Sequence, residues 1–184
     1  MPGFWYYPAD LRVLNVVATS SIEEAAMKTA TPGVRLATPP AALMRMINPL
    51  IRRILVDPRL SRRFDLQVLL ECTGRRTGRT LRIPVCLHTI DGVPTVFTER
   101  PWRWNFTDPA PVTVTRHGRV RHGRAVLLHA SPLELGAALR QALDKGATPF
   151  KLGLKVSRGH EPTVEDLSTI ERSMIRVDFD DEWE

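Results

Sequence analysis

The sequence predicts an α+β protein built on antiparallel strands. Three observations carry this reading. Apolar residues recur at helical spacing over residues 41–56, and the period then shortens to two across five successive segments. A complete helix-start signal follows at Ser131.

Residues 1–38 read as an N-terminal extension to a body spanning 39–184. The extension has weak periodicity, an aromatic start (Phe4, Trp5, Tyr6, Tyr7) and a Thr/Pro/Gly-rich link, TATPGVRLATPP. A flexible tail is the simpler account of it. Four aromatic rings are costly to leave in water, which favours a segment folded over a pocket. Met27 offers a second start for the chain.

From Ala41 to Val56, Leu43, Ile47, Leu50, Ile51, Ile54 and Leu55 follow helical spacing. Arg45, Asn48, Arg52 and Arg53 fall mostly on the other side, which makes an amphipathic helix. Pro49 removes one helical hydrogen bond and is expected to bend or split it. QVLLECT, TLRIPVCLHTI, VPTVFTE, PVTVTR and VRHGRAVLLHA then read as five strands, with hairpin turns at Asp91-Gly92 and His117-Gly118.

Ser131-Pro132-Leu133-Glu134 opens a helix: serine caps it, proline takes the first position, and glutamate answers the cap. Leu133, Leu135, Leu139 and Leu143 supply its apolar contacts and Gly146 its stop. A second short helix is expected from Val164 to Ser173, capped by Thr163, and MIRVDF returns as a sixth strand.

At 184 residues the chain fits one domain with a substantial core, and 43% hydrophobic and 25% charged residues are ordinary for a globular protein. The net charge of +6 is unevenly placed. Residues 52–82 hold nine arginines against Asp57, Asp65 and Glu71; residues 161–184 hold nine acids against Arg172 and Arg176. Lys28, Lys145, Lys151 and Lys155 are the only lysines. Arginine's planar fork suits carboxylate and phosphate, although a GC-rich genome gives the same bias.

Cys72 and Cys86 lie in apolar runs. A hairpin centred on residues 76 and 77 sets Cys72 opposite Leu81, so two reduced core thiols in a cytoplasmic protein are expected. No window approaches the roughly 18 apolar residues of a membrane span. The N-terminus lacks a basic start, and Arg12 and Asn15 break its apolar run, unlike a secretory signal. His117 and His122 match no metal-ligand spacing.

The stretch ECTGRRTGRTLRIP places Arg75, Arg76, Arg79 and Arg82 on one tight turn between two strands. Alternation sends Leu81, Ile83, Val85 and Leu87 to one face and Arg82, Pro84, Cys86 and His88 to the other. With the aliphatic set in the core, Arg82 stands outside beside the turn. Arg75, Arg76 and Arg79 then converge with it around glycine-permitted backbone N–H groups, as a concave anion site. Well-aligned charge-assisted contacts contribute about 1.5–3 kcal/mol each. The plainer alternative is a solvated loop, because close arginines repel by only about 1 kcal/mol per pair in water.

Thr73-Gly74-Arg75-Arg76-Thr77-Gly78-Arg79, followed by Arg82-x-Pro84-Val85, resembles the TGRxSG…R…P signature of the deazaflavin-dependent nitroreductase and quinone reductase family. Pro101-Trp102-Arg103-Trp104-Asn105-Phe106 is similar to that family's P-x-W-x-x-N-L segment, and PVTVTRHGRVRHGRAVLL to its following strand pair. The likeness spans roughly residues 45–145 in matching order. It implies a split β-barrel of about six mostly antiparallel strands, with an N-terminal amphipathic helix and two C-terminal helical segments.

The resemblance also implies binding of coenzyme F420. Gly74, Arg75, Arg76, Thr77, Gly78, Arg79, Arg82 and Pro84 would hold its anionic tail, and Trp102 and Asn105 would orient the chain near its ring. Hydride would pass to a quinone, nitro compound or activated alkene, with no protein nucleophile required. Where many relatives carry a small-residue loop, only Thr98-Glu99-Arg100 precedes Pro101, which brings the Glu99 carboxylate towards the anion.

The competing expectation is a noncatalytic split barrel holding FMN, haem or a related ligand. Nucleic acid fits poorly: the basic residues gather on one turn, an acidic C-terminus offsets them, and no aromatic-interleaved basic stripe appears. The helix 41–56, with arginines beside an aliphatic face, also has the make-up of a peripheral membrane contact. Monomer and homodimer are both compatible with the sequence.

Overall fold

The computed structural model describes residues 33–37, 41–57, 59–61 and 66–181. The chain folds as an α+β split β-barrel. In order it forms β1 (Val34–Leu36), α1 (Ala41–Val56), β2 (Gln67–Thr73), β3 (Thr80–Cys86), β4 (His88–Ile90) and β5 (Val93–Thr98). A 3-10 turn, Pro101–Phe106, leads to β6 (Ala110–Arg116), β7 (Arg119–Leu128), α2 (Pro132–Asp144), β8 (Leu154–Val156), α3 (Val164–Ser168) and β9 (Ser173–Phe179).

The main sheet is antiparallel, in the order β3-β2-β6-β7-β9-β5-β4. Its two edges, β3 and β4, are one stretch of chain. TLRIPVCLHTI reads as a single strand but breaks at Leu87, whose N–H donates to Leu66 O at 2.8 Å. One half of the segment pairs with β2 and the other with β5, so the sheet curls back on itself. The seam lies along β3, which among the described residues pairs only with β2. Pro84 sits on that edge opposite Leu69, where its missing N–H interrupts no ladder.

Alternation sets the core. Val68, Leu70, Val85, Leu87, Val96, Val114, Ala125, Leu127, Ile175 and Val177 come from β2, β3, β5, β6, β7, β9 and the Leu87 break, and form one interior cluster with Phe106. The face assignment for Leu81, Ile83, Val85 and Leu87 holds, since the last two belong to the cluster and the first two pack, partly buried, against it. A second cluster lies outside the barrel, where Leu135, Ala138, Leu139 and Ala142 of α2 pack with Phe97, Leu152, Leu167 and Met174. On the other side α1 packs against β2, β3 and β6, and the outward-facing Leu69 and Thr115 are buried there.

Asp91-Gly92 and His117-Gly118 both adopt positive φ, at 49° and 81° and at 50° and 75°, as tight hairpins demand. Ser131 and Glu134 form the expected capping box, and Gly146 ends α2 at φ 87°. Other expectations need correction. Leu133 points to solvent, and Ala138 and Ala142 bury the helix instead. Pro49 does not split α1, which is one helix from Ala41 to Val56. α3 stops at Ser168 rather than Ser173, because Ser173 already pairs with Thr98 in β9.

Two strands had no sequence signal: Val34–Leu36, inside the stretch read as the extension, pairs antiparallel with Leu154–Val156. The reading of residues 1–32, with Phe4 to Tyr7 and Met27, lies outside the described residues.

Candidate functional site

The arginine turn is a compact unit whose backbone donors face inward. Gly74 N–H donates to Arg79 O at 2.8 Å, while Thr77 N–H and Gly78 N–H donate to Gly74 O at 3.2 and 2.8 Å. Arg79 N–H reaches Thr77 Oγ1 at 3.4 Å, and Arg75 N–H is taken by Asn105 Oδ1 at 2.9 Å. Those five N–H groups therefore do not form the anion cradle expected from the sequence. Closing so short a loop consumes four of them, and fastening it to Asn105 consumes the fifth. Gly78, at φ 63°, is the glycine whose conformation a side chain would strain.

What the turn offers outward is guanidinium. The side chains of Arg76 and Arg79 are exposed and make no hydrogen bond or ion pair among the described residues. Arg75 is exposed too, but its Nη1 donates to Thr107 Oγ1 at 3.2 Å. Arg82 does not join the group freely: it forms an ion pair with Glu71, its register partner on β2. Pairing cancels much of its charge, so of the four arginines expected, Arg75, Arg76 and Arg79 remain without an ion-pair partner among the described residues.

Asn105 clamps the turn to the barrel. Besides accepting from Arg75, its Nδ2 donates to Trp102 O at 2.7 Å, tying the 3-10 turn to the loop. Phe106, fully buried in the barrel core, fixes that turn from below. Trp102 packs against the same core, edge-on to Phe106 with centroids 6.1 Å apart. Its neighbour Trp104 is 45% exposed, with the Arg103 guanidinium 4.5 Å from its ring centroid. Arg103 Nη1 also donates to Glu99 O.

Glu99 itself is neutralised. Its carboxylate meets Arg100 at 3.2 Å and Arg172 at 2.9 Å, so the short loop before Pro101 carries no free negative charge towards the turn.

A cleft of about 390 Å³ opens at the base of the turn, on the outer face of β2, β6 and β7. Thr73 and Thr80 form its end nearest the arginines, and Glu71, Thr113, His122 and Asp180 line it as a polar row. Thr113 Oγ1 lies 3.3 Å from His122 Nδ1. Its size is that of a small-ligand pocket. The residues 74–79, Trp102 and Asn105 do not line it. A larger cleft, about 600 Å³ and mostly apolar, runs between α2 and the outer faces of β5 and β9, away from the turn.

A buried polar group sits at the start of β4, against Phe97. His88, 4% exposed, packs against Phe97 with centroids 5.6 Å apart. Burial, then Lys151 and Arg172, push its pKa down to about 4. Burial raises the Cys86 thiol to about 11, against the opposing pull of the same two cations. A thiol held that high is a poor nucleophile at neutral pH. Cys72, opposite Leu81 as expected, is likewise raised by burial.

Among the described residues, no group of three or more His, Cys, Asp or Glu is placed to hold a metal ion. No described helix is long and apolar enough to cross a membrane.

Comparison with known proteins adds little. No family model matches the chain, and no curated protein does. Five solved chains match. One aligns over 73% of this chain and 82% of its own, at 17% identity and a TM-score of 0.36, a likeness too weak to carry an argument.

Proposed function

We propose that this chain is a split-barrel oxidoreductase that binds reduced coenzyme F420 by its anionic tail and delivers the hydride to a quinone, nitro compound or activated alkene. The observation that carries the reading is the turn Gly74–Arg79. It is fastened to the barrel by Asn105, and it presents Arg76 and Arg79 with no protein anion to satisfy them.

An extended polyanion is the ligand that such a surface fits, since each guanidinium can meet a phosphate or carboxylate in bidentate fashion. The cleft beginning at Thr73 and Thr80 gives a ring somewhere to lie beyond the tail. Pairing of Glu99 with Arg100 and Arg172 removes the like charge that its position before Pro101 threatened. Trp102 and Asn105, packed and hydrogen bonded as they are, act in this reading as supports for the turn rather than as ring contacts.

When bound, the deazaflavin supplies the hydride; the chain's own residues grip its tail, orient it and limit water. Titration of the purified protein with reduced coenzyme F420, FMN and haem, followed by fluorescence and visible absorbance, tests the reading. Saturable binding of the deazaflavin, with turnover of a quinone or nitro compound, is expected. Saturable binding of FMN or haem alone, without turnover, would replace it with a noncatalytic carrier.

A further inference from the structure

We infer that the exposed side of α1 from Leu50, together with the turn that follows to Leu60, is a docking surface for an anionic lipid bilayer. This does not depend on the cofactor assignment. Leu50, Val56 and Leu60 are 46%, 51% and 47% exposed, three large aliphatic side chains in water within one short stretch. The other large apolar side chains exposed among the described residues are scattered between positions 104 and 150.

Helical geometry makes the surface continuous. Leu50, Arg53 and Val56 follow one another at three-residue intervals along one side of α1, and Leu55, 1% exposed, faces the barrel. Leu60 stands in a turn four residues past the helix end.

The charge on this surface is positive. Arg53 and Arg59 are exposed between the aliphatic groups. From Leu50 to Leu60, Asp57 is the sole acid, against Arg52, Arg53 and Arg59. Its carboxylate is turned onto the backbone, accepting from Arg59 N–H at 2.8 Å and Leu60 N–H at 3.1 Å. The stretch therefore shows solvent aliphatic side chains and guanidinium groups, with its one carboxylate engaged.

That pairing suits a bilayer interface better than a second copy of this chain. Leucine and valine can enter the acyl boundary while arginine side chains extend to lipid phosphates. A two-fold contact would instead bring this arginine-bearing patch against a copy of itself. α1 has 16 residues, too short to span a bilayer, so it lies on the surface.

The test uses the full chain and two vesicle populations, one of phosphatidylcholine alone and one mixed with phosphatidylglycerol, separated by flotation. The protein should float with the mixed vesicles, less so at high salt, and stay behind with phosphatidylcholine. Leu50→Ser with Val56→Ser and Leu60→Ser should cut the bound fraction about tenfold, with an unchanged melting temperature. Arg53→Glu with Arg59→Glu should abolish the preference for the anionic vesicles. The proposal is overturned if the wild type ignores the mixed vesicles, or if the triple variant floats as well as the wild type does. It is also overturned if light scattering shows a dimer that the triple variant dissolves while the wild type binds no vesicle.

Discussion

Replacing Asn105 by alanine tests how the arginine turn is held. The side chain makes two hydrogen bonds, from Arg75 N–H at 2.9 Å and to Trp102 O at 2.7 Å, and it is partly buried. Each such bond contributes about 0.5–1.5 kcal/mol net, so Asn105→Ala should cost about 1–3 kcal/mol in urea denaturation. The loss should be local as well as global. With Asn105 gone, the hydrogen bonds that tie Arg75 to residues 105–107 reduce to the Nη1–Thr107 contact at 3.2 Å. Amide exchange at Arg75 should therefore accelerate far more than exchange in β2 or β6.

Asn105→Asp is the control: it keeps an oxygen acceptor for Arg75 N–H and removes the donor to Trp102 O. It should restore protection at Arg75 and only part of the stability. The reasoning fails if the alanine variant unfolds at the wild-type midpoint and Arg75 remains as protected as before.

Two further outcomes follow from packing and charge. At Gly123 an added Cβ would lie 2.9 Å from Phe179 Cα, 3.0 Å from Asp178 C and closer still to Asp178 O. The obstruction is backbone, so Gly123→Ala should force β7 and β9 apart and cost at least about 3 kcal/mol, measured by thermal or urea melts. His88 is held neutral in the fold, with its pKa about 4 against an ordinary 6.5. Between those values the unfolded chain takes up a proton that the folded chain refuses, so stability should fall as pH drops from about 6.5 through 4. The full loss is about 3 kcal/mol, and it vanishes above pH 6.5. His88→Phe should flatten that part of the pH–stability curve; an identical slope would refute the assignment.

Much of the architecture was legible because it is local. Capping at Ser131, the Asp91-Gly92 and His117-Gly118 turns and the alternation in β2, β3, β6 and β7 each depend on a few neighbouring residues. The hairpin register was legible too, and it held one conclusion that the sequence reading did not draw. If Cys72 faces Leu81, then Glu71 faces Arg82, and an ion pair between them follows.

Contacts between distant segments carried no such signal. Nothing near Val34 announces its pairing with Val156, and nothing near Arg75 announces Asn105, thirty residues on. The break at Leu87 arises because one segment must serve both ends of a curling sheet, a demand of closure rather than of propensity. The polar row of Glu71, Thr113, His122 and Asp180 belongs to four separated stretches of chain, and only strand pairing brings it together.

The most direct test of the central claim is the affinity for reduced coenzyme F420 of the wild type and of the Arg76→Ala, Arg79→Ala double variant, measured by fluorescence across a salt series. Loss of two charge-assisted contacts on a solvent-facing turn should weaken binding about ten- to a hundredfold and flatten its salt dependence, with the fold unchanged. Equal affinity and equal salt dependence in the two proteins would show that the turn does not hold the tail.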